Sequence, residues 1–230
     1  MQNKIPNVLT IAGSDSDGSS GLQADLKTFF ARKVYGTSVL VTSLAANHYG
    51  VKSKLDFPLK FISDQFDSIN QEFEIDAVKT GFLSNYKIVD LVARKISQAN
   101  FGFCLVDPVM VSKHGVQLLD SKAVDYLTEK LIPLADLVTP NFFEAEKFFG
   151  QKIKNREQVE QAARKIKSFG CKNVIIKGFH QPESQQKIVS DYILLENEPG
   201  FYLSEKFSST KQNNGSGDTF SSIIIAEIAK

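Results

Sequence analysis

Short apolar runs rich in β-branched residues alternate with longer stretches of helical periodicity along this 230-residue chain. That alternation limits the fold more than any other feature. Residues 7–12 read as a buried strand closing on Gly13, and Leu22, Leu26, Phe29 and Phe30 then recur at helical spacing. Residues 38–44 form a second strong strand. A helix starting near Pro58 follows and carries Phe61, Phe66 and Ile69. Further strands are predicted at 75–79, 103–106, 136–139 and 173–177. Between them, three helix faces stand out: Ile88, Leu91, Val92 and Ile96; Val124, Leu127 and Leu131; Val159, Ala162, Ala163, Ile166 and Phe169. Residues 190–195 and 201–203 read as a late antiparallel pair around a Pro199-Gly200 turn. Such repetition predicts an α/β fold, with a mostly parallel sheet and helices on both faces. Ligands of such sheets bind beyond the carboxyl ends of the strands. No internal repeat, low-complexity segment or linker interrupts the pattern, so a single domain over 1–230 is expected.

Composition narrows the function classes. The 42% hydrophobic content suffices for a sizeable core. The 27 basic and 26 acidic residues are interspersed, for a net charge of +1, which argues against nucleic acid as a partner. Cys104 and Cys171 lie in apolar, strand-like surroundings and suggest neither a disulfide framework nor zinc. No apolar run reaches the length of a membrane span, and the first residues lack a signal-peptide pattern. A soluble, cytoplasmic protein is expected.

The chemistry-bearing stretch is Asn213-Asn214-Gly215-Ser216-Gly217-Asp218-Thr219-Phe220, with Ile223, Ile224, Ile225 and Ile228 continuing at helical spacing. A glycine turn opening a helix leaves backbone N–H groups pointing at one spot, which the helix dipole makes favourable for an anion. Asp218 stands where a phosphate would sit. It reads either as a base taking a proton from a hydroxyl that attacks phosphorus, or as a plain helix cap. A helix N-terminus favours the ionised carboxylate, so Asp218 is expected to be charged at neutral pH.

Other candidates fall at strand ends. The loop 13–21 holds small residues that allow close approach to a ligand. Asp25, in the next helix, could accept from a substrate hydroxyl or ring amine, or could simply sit beside Lys27 or Lys33. Asn141 and Glu144 share a helix face, either holding magnesium partly through water or capping the helix. Lys177 could offset phosphate charge, and Asp107 before Pro108 could orient magnesium or close a turn. Lys113-His114-Gly115 reads as a loop able to close over phosphate, or as a charged exposed loop. The usual nucleoside-triphosphate loop and the dinucleotide fingerprint are absent, and His48, His114 and His180 show no ligand spacing.

Taken in order, these residues resemble the hydroxymethylpyrimidine/phosphomethylpyrimidine kinases. The match begins with Thr10-Ile11-Ala12-Gly13-Ser14-Asp15-Ser16 and Gln23-Ala24-Asp25-Leu26-Lys27-Thr28-Phe29. It continues through Val34-Tyr35-Gly36-Thr37-Ser38, Lys79-Thr80-Gly81, Asp107-Pro108-Val109-Met110-Val111 and Val138-Thr139-Pro140-Asn141. Ile176-Lys177-Gly178 and Gly215-Ser216-Gly217-Asp218-Thr219 complete it. The resemblance implies a ribokinase-like three-layer sandwich. It also implies transfer of the γ-phosphoryl of ATP, with Mg2+, to the hydroxymethyl of 4-amino-5-hydroxymethyl-2-methylpyrimidine and then to its monophosphate.

By position, the resemblance places Gly13, Ser20, Asp25, Asn47, Phe82 and Val109 around the substrate. Asn141, Lys177, Thr210 and Lys113 would serve ATP, and Glu144 and Asp107 the metal. Gly215, Ser216 and Gly217 would form an anion hole beside Asp218 as base. A homodimer is expected. The pyrimidine enzymes usually carry glutamine where Asn47 falls, and the adjoining segment is one residue shorter here. They usually carry cysteine where Asp218 stands, although the wider superfamily has aspartate. Relatives usually continue past Lys230 through further helices beside the adenine site, so a truncated C-terminal end is also expected. Kinases of pyridoxine, pyridoxal and pyridoxamine are closely similar, and a non-catalytic binder on the same fold is a third reading. Lys113 with Gly115, followed by Leu118-Leu119, looks more like the pyrimidine enzymes.

Overall fold

The structure is a computed structural model that describes residues 4–47, 49–111, 117–179, 188–206 and 214–230. Its strands are β1 (Asn7–Asp15), β2 (Tyr35–Asn47), β3 (Gly50–Asp56), β4 (Ala77–Thr80), β5 (Phe103–Val106), β6 (Leu137–Val138), β7 (Asn173–Phe179), β8 (Ile188–Leu194) and β9 (Phe201–Lys206). Its helices are α1 (Gly21–Ala31), α2 (Leu59–Glu72), α3 (Tyr86–Gln98), α4 (Ser121–Tyr126), α5 (Phe142–Phe149), α6 (Arg156–Lys167) and α7 (Ser216–Ile228).

The strands form one sheet in the order β3-β2-β1-β4-β5-β6-β7-β8-β9. From β2 to β7 every pairing is parallel, and antiparallel strands extend both edges. The central strands read as nearly continuous apolar runs because helices cover both faces. Val8, Ala77, Leu105 and Leu137 point to one side and pack with Phe29 of α1 and Ile225 and Ala226 of α7. Leu9, Val78, Val106 and Val138, each one residue on, point to the other side. There they meet Ile62 and Phe66 of α2, Ile88 and Val92 of α3, Ala145 of α5, and Val159 and Ile166 of α6. This is the three-layer α/β architecture that the alternation predicts.

Three elements differ from the sequence reading. Phe30 is 86% exposed. The buried stripe of α1 runs through Leu22 and Phe29, and one further residue turns the side chain about 100° away from the sheet. The hairpin strand β3 escapes prediction because its side chains from Gly50 to Leu55 are all exposed at the sheet edge, so no apolar alternation marks it. The helix carrying Val124, Leu127 and Leu131 is regular only to Tyr126. It continues as one wide π turn, Leu127–Leu131, and a tight turn, Ile132–Leu134, in which Pro133 lacks the N–H a regular helix needs.

Candidate active site

The chain runs from β1 outward to β2 and β3, then returns to place β4 on the other side of β1. That reversal puts a crevice at the carboxyl ends of β1 and β4, where open α/β sheets bind ligands. The N-terminus of α7 meets the same place. A groove of about 630 Å³ lined by Phe73, Glu74, Asp76 and Phe101 opens at the opposite ends of β4 and β5, away from this chemistry.

Two glycines bring the first loop against α7. Gly215 caps α7 with φ of 72°, and a Cβ there would lie 1.7 Å from the carbonyl oxygen of Ser19. Gly21 has φ of 59°, and its Cβ would lie 2.3 Å from the carbonyl oxygen of Gly13. Both are needed for left-handed backbone and for chain lying directly on chain.

Within the loop, the Ser20 hydroxyl donates to Asp15, and Asp15 N donates to Gln23 Oε1 at 3.0 Å. The Ser16 hydroxyl donates to Ala46 O at 2.7 Å, which ties the loop to the end of β2 beside Asn47. Asn47 is exposed, and its side-chain oxygen accepts from Tyr49 N at 2.9 Å. Gly13 N donates to Phe82 O at 3.1 Å, and a Cβ on Gly13 would lie 3.5 Å from the Phe82 ring. Val109, half-buried, follows Pro108 at the end of β5.

A charged cluster lies beneath these residues. Lys79 projects from β4 with none of its side chain exposed. Its Nζ is 2.6 Å from Asp25 Oδ1 and 3.8 Å from Asp218 Oδ1. Asp25, itself fully buried, also accepts from Thr10 Oγ1 and Ser222 Oγ, each at 2.6 Å. Lys177, at the end of β7, places Nζ 3.2 Å from Asp107 Oδ1, and Ser221 Oγ donates to Asp107 Oδ2 at 2.9 Å. Consecutive serines of α7 thus bind carboxylates on opposite sides of the cluster. A Cβ on Gly217 would lie 3.5 Å from Lys177 Nζ, so the start of α7 faces that lysine.

Asp25, expected beside the substrate, has no exposed surface in this arrangement, and its oxygens hold Lys79, Thr10 and Ser222. The proton affinity of Asp218 is raised, yet the carboxylate stays mostly ionised at neutral pH. Burial, joined by Asp25 and Asp107, pushes it up to about 6 against the opposing pull of Lys79 and Lys177. The side chain keeps 17% of its surface open.

Asn141 and Glu144 form a reciprocal capping box at the start of α5. Glu144 Oε2 accepts from Asn141 N at 2.8 Å, and Oε1 accepts from Met110 N at 3.1 Å and Val111 N at 3.4 Å. Asn141 Nδ2 donates to Val111 O at 2.9 Å. Burial and the nearby Asp107 push the Glu144 carboxyl up to about 8. Magnesium held by Asn141 and Glu144 partly through water is the expectation; in this structure backbone donors meet both Glu144 oxygens and 2% of the residue is exposed. Asp107 is likewise taken by Lys177 and Ser221. No group of three or more His, Cys, Asp or Glu able to hold a metal ion occurs among the described residues. Lys113, Thr210 and the three histidines lie outside the described residues.

Sequence reasoning assigned no role to Lys79, Thr10, Ser221 or Ser222. A lysine ending an apolar strand is the one available signal, since a buried ammonium demands carboxylates.

A helix N-terminus, two lysines and a part-open aspartate converge at the sheet's switch point. Such a site offsets the charge of a phosphoryl group while a carboxylate takes a proton, which is the equipment of a phosphotransferase. The chain belongs to the phosphomethylpyrimidine kinase family, whose model matches residues 15–230. It is 43% identical over 226 residues to a hydroxymethylpyrimidine/phosphomethylpyrimidine kinase of Haemophilus influenzae, covering 98% of this chain and 84% of that one. The Bacillus subtilis protein of the same name is 38% identical, covering 98% and 82%.

Among solved structures, a phosphomethylpyrimidine kinase from Clostridium difficile superposes with a TM-score of 0.85 at 36% identity, covering 98% of this chain and 91% of that one. An ADP complex of Bacillus subtilis pyridoxal kinase superposes at 0.88 with 33% identity, covering 98% and 85%. A Staphylococcus aureus pyridoxal kinase with AMP-PCP and pyridoxal gives 0.87 at 29% identity, covering 99% and 81%. The expected ribokinase-like assignment agrees with these neighbours. No helix among the described residues is long and apolar enough to cross a membrane.

Proposed function

We propose that this protein transfers the γ-phosphoryl group of ATP to the hydroxymethyl group of 4-amino-5-hydroxymethyl-2-methylpyrimidine, and then to the resulting monophosphate, for thiamine biosynthesis. The observation that carries this reading is Asp218, part open at the N-terminus of α7, with Lys79 3.8 Å behind it. Asp218 takes the hydroxymethyl proton. The freed oxygen pair then forms the new bond to phosphorus, and the bond to ADP breaks with its electrons leaving on ADP. Backbone N–H groups of residues 215–217 and the Lys177 ammonium face the transferring group. Gly13, Phe82, Val109 and Asn47 surround the ring, and Ser20 shapes the wall through Asp15. Asn141 fixes the backbone beside Lys177, where the two residues bridge in parallel.

Magnesium bound to ATP supplies further charge neutralisation. The residues present would fit an ion carried on the nucleotide phosphates and met through water, because the Asp107 carboxylate is already held by Lys177 and Ser221 and Glu144 by backbone N–H groups. Lys113 and Thr210 are assigned to ATP on family resemblance. The protein is further proposed to work as a homodimer, in the cytoplasm, with residues 1–230 acting as one kinase unit.

A vitamin B6 kinase is the second reading, supported by the 0.88 TM-score to a pyridoxal kinase. Turnover of ATP with the aminopyrimidine, its monophosphate, pyridoxine and pyridoxal in parallel separates the readings. Phosphorylation of both pyrimidines at the higher kcat/KM is the expected result. Preference for pyridoxal would replace it, and no turnover on any ring would return the protein to a binding role.

A further inference from the structure

A lysine in the middle layer of a sheet needs a reason. Lys79 lies in β4 between Val78 and Thr80, and none of its side chain reaches the surface. Neither ATP nor a ring substrate can touch it there. A buried ammonium persists only where carboxylates and hydrogen bonds surround it. The two carboxylates beside it are unlike each other. Asp25 is fully buried and held by Thr10 and Ser222 as well as by Lys79. Asp218 stands 3.8 Å from the same Nζ with 17% of its side chain exposed.

We propose that Lys79 is a positioning residue for phosphoryl transfer: anchored by Asp25, its buried ammonium holds the Asp218 carboxylate in place and ionised to receive the substrate proton. The inference rests on the reading of Asp218 as base. One ammonium between two carboxylates leaves the group with one negative charge before transfer. Once Asp218 has taken the proton, Asp25 and Lys79 remain as a neutral buried pair. Asp25 therefore limits how strongly the lysine favours ionised Asp218, and a base must also be able to hold its proton until release.

The charged groups facing Asp218 are Lys79 from β4, Asp25 from α1, Asp107 beyond β5 and Lys177 from β7, with the N-terminus of α7 itself and Glu144 behind Asp107. Of these, Lys79 is the one whose cation lies within 4 Å of the carboxylate among the described residues.

Two variants give opposite signs. Asp25→Asn keeps an oxygen to accept from Ser222 and puts an N–H against Thr10, whose hydroxyl can turn to accept it, but leaves the lysine's charge to Asp218 alone. The midpoint of the kcat–pH profile should then move down. Lys79→Met risks misfolding, because it strands Asp25 as a buried charge, so it is paired with Asp25→Asn. In the folded Lys79→Met/Asp25→Asn protein the midpoint should move up, because the nearer of the two charges removed is the cation, with KM for ATP unchanged. A purely structural lysine would alter urea stability without producing opposed shifts. Midpoints that stay at the parent value, or move in the same direction in both variants, overturn the inference. Asp218→Asn is assayed alongside: parent-like turnover there would overturn the base reading itself, whereas lost turnover with unmoved midpoints would overturn the role of Lys79 alone.

Discussion

Lys177 Nζ lies 3.2 Å from Asp107 Oδ1, although β6 separates their strands in the sheet. The lysine that faces the start of α7 is therefore already paired before any phosphate arrives. An incoming γ-phosphoryl group must share it with Asp107, so the lysine can follow charge as it moves from ATP to product. Lys177→Met should lower kcat/KM for ATP by about 10²–10³-fold, the usual loss for one preorganised donor. It should also destabilise the fold by about 3–5 kcal/mol, since Asp107 becomes an unpaired buried charge. Lys177→Met/Asp107→Asn should recover much of the urea stability and none of the rate. Recovery of both would make the pair a structural strut.

Asp218→Asn keeps the shape of the side chain but cannot take a proton. Turnover should fall by about 10²–10⁴-fold while ATP binding and folding stay near the parent. The parent's own pH profile follows from the raised proton affinity of Asp218, pushed up to about 6 by burial. A base works only when unprotonated, so kcat should fall as pH drops through that value and level off above it. Steady-state rates across the acid range test this. A flat profile there, or a folded Asp218→Asn protein with near-parent turnover, would leave Asp218 as a helix cap.

The sheet and its two helix layers were legible because burial imposes period on sequence. Val8 with Leu9, and Ala77 with Val78, alternate between faces that are both covered. β3 was illegible because an edge strand with exposed side chains carries no such period. At the site, the turn at Gly215 announced itself through local chemistry alone. Asn141 and Glu144 stayed ambiguous because a capping box and a pair of ligands use the same residue types at the same spacing. The Lys79 cluster was hidden for a different reason. Asp25 lies 54 residues from Lys79 and 197 from Ser222, and no local pattern encodes pairs so far apart.

Asn47 tests which ring the crevice prefers. Its oxygen already accepts from Tyr49 N, leaving the amide hydrogens to meet an acceptor on the ring. Asn47→Ala should weaken the aminopyrimidine by roughly 2–10-fold, the effect of one net hydrogen bond of about 0.5–1.5 kcal/mol, and leave ATP affinity alone. Calorimetric titration of each ligand makes the comparison. Equal loss for both would point to a general disturbance of the β2–β3 hairpin. Tighter pyridoxal than pyrimidine binding in the parent would favour the vitamin B6 reading.

Glu144 separates a structural carboxylate from a metal contact. Its two oxygens accept from Asn141 N, Met110 N and Val111 N, which joins the start of α5 to the segment after Asp107. Glu144→Gln puts an amide N–H₂ against backbone N–H groups, so at least one buried donor loses its partner. The expected loss is about 1–3 kcal/mol of unfolding free energy, without nucleotide or magnesium present. The size of that loss should depend on pH. Folded Glu144 holds its proton up to about 8, against an ordinary value of 4.5. Between those values the folded parent binds more protons than the unfolded chain, so this residue's contribution to stability declines as pH rises through the window. Glutamine does not titrate, so the gap between parent and variant should be widest near the acid end and narrow toward the alkaline end. Urea unfolding at several pH values measures it. A variant with parent stability that instead requires more magnesium for turnover would make Glu144 a contact for the ion.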